Sequence, residues 1–308
     1  MTVTTAYAQY DISYTNRVPY ITADEYNNAP TAMDVSNLIP GGSAQANTTA
    51  LIETIGRASS WVDQYTMGSY GTLVATKNTE NARIWGNRLG QIIVHPRYWP
   101  ILEVDSFSYG VTGFGFGTGN SASITPATNI WIEPQQFIVQ PSGAFNFGLG
   151  AISSINAGIQ YYCTWSYSNG YPTTTLSASV AASGASITPV SVTGIYPGTT
   201  LTLYDMPYDE QVQVASTYVP GGAVLPLTTG VQYDHASGVM VTNLPPAIKQ
   251  AAILATTAFI KQRGSGAMVV ADLGAAIKQS SGFSQDSGSD WAEAKCLLNP
   301  FRQMFVGT

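Results

Sequence analysis

The chain has 308 residues, 44% of them hydrophobic and only 10% charged, with a net charge of −6. That is ample material for a core, but the surface is polar and weakly charged, which suits permanent contact with neighbours better than a life apart. The acidic balance argues against a chain whose main work is gripping nucleic acid, no run of about 18 apolar residues is long enough to span a membrane, and MTVTTAYAQYDISYT lacks the basic and apolar regions of a signal peptide.

Residues 1–18 alternate loosely and read as an extended arm. In YITADEYNNAP, Thr22 followed by Asp24 and Glu25 predicts a capped helical turn that Pro30 ends. The next segment, SAQANTTALIETIGRASSWVDQYT, carries Leu51, Ile55, Ala58, Val62 and Tyr65 at helical spacing. The spacing predicts a helix over 44–66, roughly 34 Å long, with an apolar stripe that nothing nearby in sequence can cover. From Thr72 to Gly110 the period changes to two, with breaks at Pro96 and Pro100, and 111–172 continues as strands separated by Gly-rich turns.

Residues 173–243 differ from both flanks. Short Val/Leu/Ile/Thr runs recur every 8–12 residues between SGAS, YPGT, PGGA and DHASG, the spacing of a small β-sandwich or barrel. This block carries four acidic residues, Asp205, Asp209, Glu210 and Asp234, and no Lys or Arg, which marks it as an acidic channel or surface. A second helix follows in LPPAIKQAAILATTAFIKQRG. Pro245 and Pro246 suit its first turn and Gly264 its C-cap. Ile248, Ala252, Ala255 and Phe259 line one face. The two stripes predict a helical core in which Leu51, Ile55, Val62, Ile248 and Phe259 are buried together. Asp290 and Glu293 are spaced as a capping box for a last short helix. It stops before Pro300 and leaves an apolar tail.

The expected fold is therefore α+β: a helical bundle core with inserted antiparallel β regions. Residues 1–172 hold the arm, long helix and β region, 173–243 the inserted β domain, and 244–308 the returning helix, short helix and tail. Cys163 and Cys296 are read as reduced structural thiols, since no framework of cysteines exists.

Chemistry-bearing patterns are scarce. His95 and His235 have no ligand-like spacing with the cysteines. GFGFGTGN at 113–120 has the glycines of a phosphate loop but neither a lysine nor a following helix. The acidic pairs Asp24–Glu25, Glu103 with Asp105, and Asp209–Glu210 are spaced for adjacency, whereas a glycosidase needs two carboxylates facing each other across a cleft. The aromatic stretch IQYYCTWSYSNGY could stack on sugars, but alternating aromatics on a strand more often divide between a core face and an interface face.

The order YITADEY, then LIETIGRASSWVDQYT, then YWPILEVDSFSYG, then LPPAIKQA resembles the head–tail connector (adaptor) proteins of long-tailed bacteriophages. The block from YPTTTLSASV to HASGVMVTNLPP looks like a β domain inserted in some of these connectors. The resemblance implies a structural virion protein at the head–tail junction, assembled in the host cytoplasm, with no catalytic residue, cofactor or metal. It implies a homo-oligomeric ring, twelvefold as is usual for the family. The ring would bind the portal on one side and a neck, stopper or tail protein on the other, and double-stranded DNA would pass through without specific binding; no membrane is involved. It further implies that the C-terminal segment, through Phe301, Arg302, Met304 and Phe305, docks on another subunit or on the portal. Two other readings remain: a β-rich glycan-binding adhesin module of a virion, and a glycan-cleaving enzyme.

Overall fold

The computed structural model describes residues 19–31, 33–67, 71–110, 121–124, 129–140, 155, 157–268 and 289–303. The expected N-terminal arm and the GFGFGTGN loop lie outside them.

Helix α1, Ala23–Asn28, starts where Thr22 and Glu25 cap each other reciprocally: Glu25 N donates to Thr22 Oγ1 at 3.1 Å, and Thr22 N donates to Glu25 Oε2 at 2.8 Å. Helix α2 runs Ala44–Met67. Ser43 Oγ accepts from Ala46 N at its start, and Asn47 ties down the preceding loop by accepting from Ile39 N and donating to Ser36 O. Its Ser and Thr hydroxyls bond back to carbonyls four residues earlier, among them buried Thr54, Ser59 and Thr66.

Ten-residue strands β1 (Thr76–Trp85), β3 (Ile101–Gly110) and β7 (Gln160–Asn169) join β4 (Ser121–Ile124) in an antiparallel sheet of order β1-β7-β3-β4. Strands β2 (Ile92–Val94), β5 (Ile130–Ile132) and β6 (Phe137–Val139) form a second sheet, β2-β6-β5. One face of each supplies a shared core in which Val104, Phe107, Tyr161, Cys163 and Trp165 meet Ile92 and Phe137. Period-two alternation places these side chains: along β7, Tyr161, Cys163, Trp165 and Tyr167 point inward while Tyr162, Thr164 and Ser166 face out.

Strands β8 (Thr173–Thr175), β10 (Thr200–Tyr204), β11 (Glu210–Gln213) and β13 (Met240–Thr242) form a third sheet, β11-β10-β13-β8, and β9 (Ser186–Ile187) pairs with β12 (Leu225–Pro226). These short strands enclose a core of their own, including Leu176, Ile187, Leu201, Leu203, Val212 and Val241. The first and last strands of this unit lie side by side. Thr173 pairs with Thr242, their hydroxyls are 2.8 Å apart, and Asn243 N donates to Pro172 O. The chain thus leaves and re-enters at one place, the geometry an insertion requires. Gly194 sits where this unit meets the first sheet. Its φ of +76° suits glycine, and a Cβ there would lie 2.4 Å from that of Ala75.

Helix α3, Pro246–Met268, follows directly. It passes through Gly264, so that residue is not the expected C-cap. Helix α4 covers residues 289–298, followed by a 3-10 turn at Asn299–Phe301. Asp290 lies within α4 and pairs with Lys261 of α3 at 2.9 Å, so its structural part is to join the two helices.

The structure overturns one expectation. The core of the protein is not a helical bundle, for most of the elements among the described residues are strands, arranged in four small antiparallel sheets. Two of the three buried clusters are built wholly from β regions, and the helices supply only the third. The physical reason is that the β segments bury their own apolar faces against one another and do not need a bundle to cover them.

Candidate functional site

The helical cluster gathers segments far apart in sequence. Leu51, Ile55, Val62 and Ile248 are buried in it together with Tyr20, Ile21, Tyr26, Leu73 and Leu298. Phe259 is not among them. It is half-buried on the flank, edge-on to Trp291 at 5.0 Å, and Trp291 in turn packs on Trp61 at 4.4 Å. In its fourth turn α3 therefore meets α4 through Phe259, while Ile260 stays buried in the shared cluster.

Polar side chains fix how these segments meet. The Tyr20 hydroxyl donates to the buried Asp63 carboxylate, which also accepts from Leu73 N at 2.9 Å. Burial first, and then the Asp63 charge, pushes the Tyr20 phenol well above its ordinary value. Tyr26 Oη and Thr257 Oγ1 are 3.0 Å apart, joining α1 to α3.

Lys249 is the principal tie between the helices and the inserted unit. It is 5% exposed. Its Nζ lies 2.5 Å from Glu25 Oε1, 3.4 Å from the centroid of the Tyr204 ring and 3.4 Å from Met240 Sδ. One ammonium therefore bridges α1, α3, β10 and β13. Burial lowers its pKa, and the Glu25 carboxylate, followed by Asp209, pulls it back up.

The four carboxylates expected to form an acidic surface are largely engaged within their own domain. His235 is buried with Asp205 Oδ2 3.0 Å from Nδ1 and Glu210 Oε1 2.7 Å from Nε2. Glu210 also accepts from the backbone of Gln232 and Tyr233. Asp209 Oδ1 accepts from Asp205 N, and Asp234 Oδ1 from Ala182 N, each at 2.7 Å. Each ring nitrogen thus faces one carboxylate. In chemical terms this arrangement clamps loop 205–210 to loop 232–235. Above the clamp Tyr208 and Tyr233 stand exposed, with ring centroids 5.1 Å apart.

The described part of the tail folds back on its own chain. Phe301 packs against the helical cluster, Arg302 sits over the Tyr65 ring at 5.5 Å, and Gln303 N donates to Thr66 O at the end of α2. Met304 and Phe305, expected in the same docking segment, lie outside the described residues.

The remaining candidates are scattered. His95 is exposed at the end of β2. Asp105 pairs with Lys77, and the Glu103 carboxyl is raised by burial and by the Asp105 charge. Cys163 and Cys296 are free thiols; Cys163 is buried, which pushes its pKa up to about 12 and leaves it inert. Among the described residues no three His, Cys, Asp or Glu side chains converge as a metal site, and no helix is long and apolar enough to cross a membrane.

Sequence reading missed Lys249 and found no part for His235 beyond a turn position. A signal existed for each. Lys249 directly follows a stripe residue, and His235 is the one basic side chain in a block that holds four carboxylates. The sequence matches no family model and no curated protein.

Proposed function

We propose that this chain is a structural subunit of a virion head–tail connector ring. In this reading it assembles as a homo-oligomer, twelvefold as the resemblance implies, between the portal and the neck or tail. Double-stranded DNA passes through the ring without specific contact. The observation that carries the proposal is the convergence of three of the four segments behind the resemblance. YITADEY, the helix ending SSWVDQY and the late LPPAIKQA helix lie more than 200 residues apart at their extremes, yet they share one buried cluster with Tyr26–Thr257 and Glu25–Lys249 as direct links. Unrelated segments that merely shared composition would have no reason to meet. The low charge supports the same reading, because it suits a surface meant to stay covered.

Negative-stain imaging of the purified chain, alone and mixed with portal, tests this. Closed rings stacked on portal are expected. Monomers that never bind portal would refute the connector, and binding on a glycan array by such monomers would favour the adhesin reading instead.

A further inference from the structure

Two exposed features of opposite chemistry have no function so far. The first is the turn between β1 and β2, which presents Trp85, Arg88 and Leu89 to solvent, with Leu89 76% exposed. Asn87 holds this turn rigid: its Oδ1 accepts from Leu89 N and Gln91 N, both at 2.9 Å, and its N donates to Gln91 O. Gly90, at φ +74°, closes it. The second feature is the pair of loops 205–209 and 232–235 of the inserted domain, where Met206, Tyr208 and Tyr233 are exposed beside Asp205 and Asp209. That surface is also rigid, since the His235 clamp and the Asp209–Asp205 bond fix both loops that carry it.

We infer that the Trp85–Arg88–Leu89 turn of one copy docks on the Met206–Tyr208–Tyr233 surface of the next. This inference rests on the ring reading and assigns its subunit contact. Three properties point to a second copy as the occupant. Asp209 is exposed and Asp205 half-buried at the surface, which has no Lys or Arg from its own domain, while the turn carries Arg88 and no acid. A guanidinium over paired tyrosines gains cation–π attraction as well as charge complementarity. The residue types involved, Trp, Arg, Tyr and Met, are those that interface centres enrich. The two surfaces are different patches of one molecule, so their union is head-to-tail, and a head-to-tail contact that closes makes a ring. Pre-organisation on both sides means that little ordering cost is met at docking.

The test uses the full chain in sedimentation velocity, alone and with portal. Arg88→Glu and Leu89→Asp impair the turn, and Tyr208→Ser impairs the surface. All three positions are exposed, and circular dichroism checks that each variant is folded. Each variant is expected to weaken self-association at least tenfold. A mixture of Leu89→Asp with Tyr208→Ser should form 1:1 pairs that grow no further, because one sound turn and one sound surface remain. Wild-type rings that persist unchanged in all three variants would overturn this contact and leave the ring reading standing. A wild-type chain that never self-associates, even with portal, would overturn both.

Discussion

Glu25→Gln isolates the charge that holds Lys249. Gln is also a capping-box residue, so the bond from Thr22 N at the start of α1 can be retained. What is lost is the carboxylate 2.5 Å from an ammonium whose side chain is 6% exposed. The Tyr204 ring and Met240 sulfur remain, but neither offers a negative charge. Breaking a buried pair from one side costs about 3–5 kcal/mol, whereas replacing both partners by well-packed uncharged groups is often neutral. Glu25→Gln should therefore destabilise by ~3–5 kcal/mol, and adding Lys249→Met should restore most of that loss. Urea denaturation of the two single variants and the double variant completes the cycle. pH adds a sign. Because the folded-state pKa of Lys249 lies below its unfolded value, the folded chain binds fewer protons between the two, and stability rises with pH through that window. Glu25→Gln removes the largest influence opposing the burial effect, so the alkaline gain should begin at lower pH than in wild type. Additive losses in the double variant, or an unchanged pH profile, would refute the bridge as a coupled pair.

Gly194→Val should cost ~2–4 kcal/mol, combining left-handed backbone strain with overpacking against Ala75. Gly198→Ala, at φ +82° with nothing within 4 Å, should show the backbone part alone in the same thermal melts. His235→Phe removes the ring nitrogens that face Asp205 and Glu210 and should destabilise the inserted unit by about 1–3 kcal/mol. Near-ultraviolet circular dichroism should then lose the signal of the Tyr208–Tyr233 pair while the far-ultraviolet spectrum is kept, and an unchanged near-ultraviolet spectrum would show that the clamp does not hold those loops.

Helix α2 and the body of α3 were legible because their apolar residues recur at helical spacing, and β7 because its aromatics alternate. What could not be read is which surfaces meet. The stripe on α3 places Phe259 in line with Ile248, but periodicity says nothing of the arrival of α4, whose Trp291 takes Phe259 from the expected core. Gly264 was expected to stop α3, yet a glycine inside a helix costs only about 1 kcal/mol, too little to end one packed along its preceding turns. The bundle was expected because helical stripes demand partners, a demand that two long helices and two short ones satisfy here without enclosing the β regions. For the candidate residues, charge counting found the acids of 173–243 but not their mutual bonds, which depend on loops brought together by β10, β11 and the bridge between Val180 and His235.

The hydroxyls of α2 and α3 have a mechanical consequence. Thr54, Thr66 and Thr256 each spend their donor on the carbonyl one turn behind. Toward a neighbouring helix they then behave much like alanine or valine of similar shape, with no bond to break if the helices slide. These positions are in this sense lubricated, and axial position is set at a few pins: Tyr20 on Asp63, Tyr26 on Thr257, Glu25 on Lys249. All three pins belong to α1 and its approach, so this six-residue helix is the latch that keeps two much longer ones from shifting past each other.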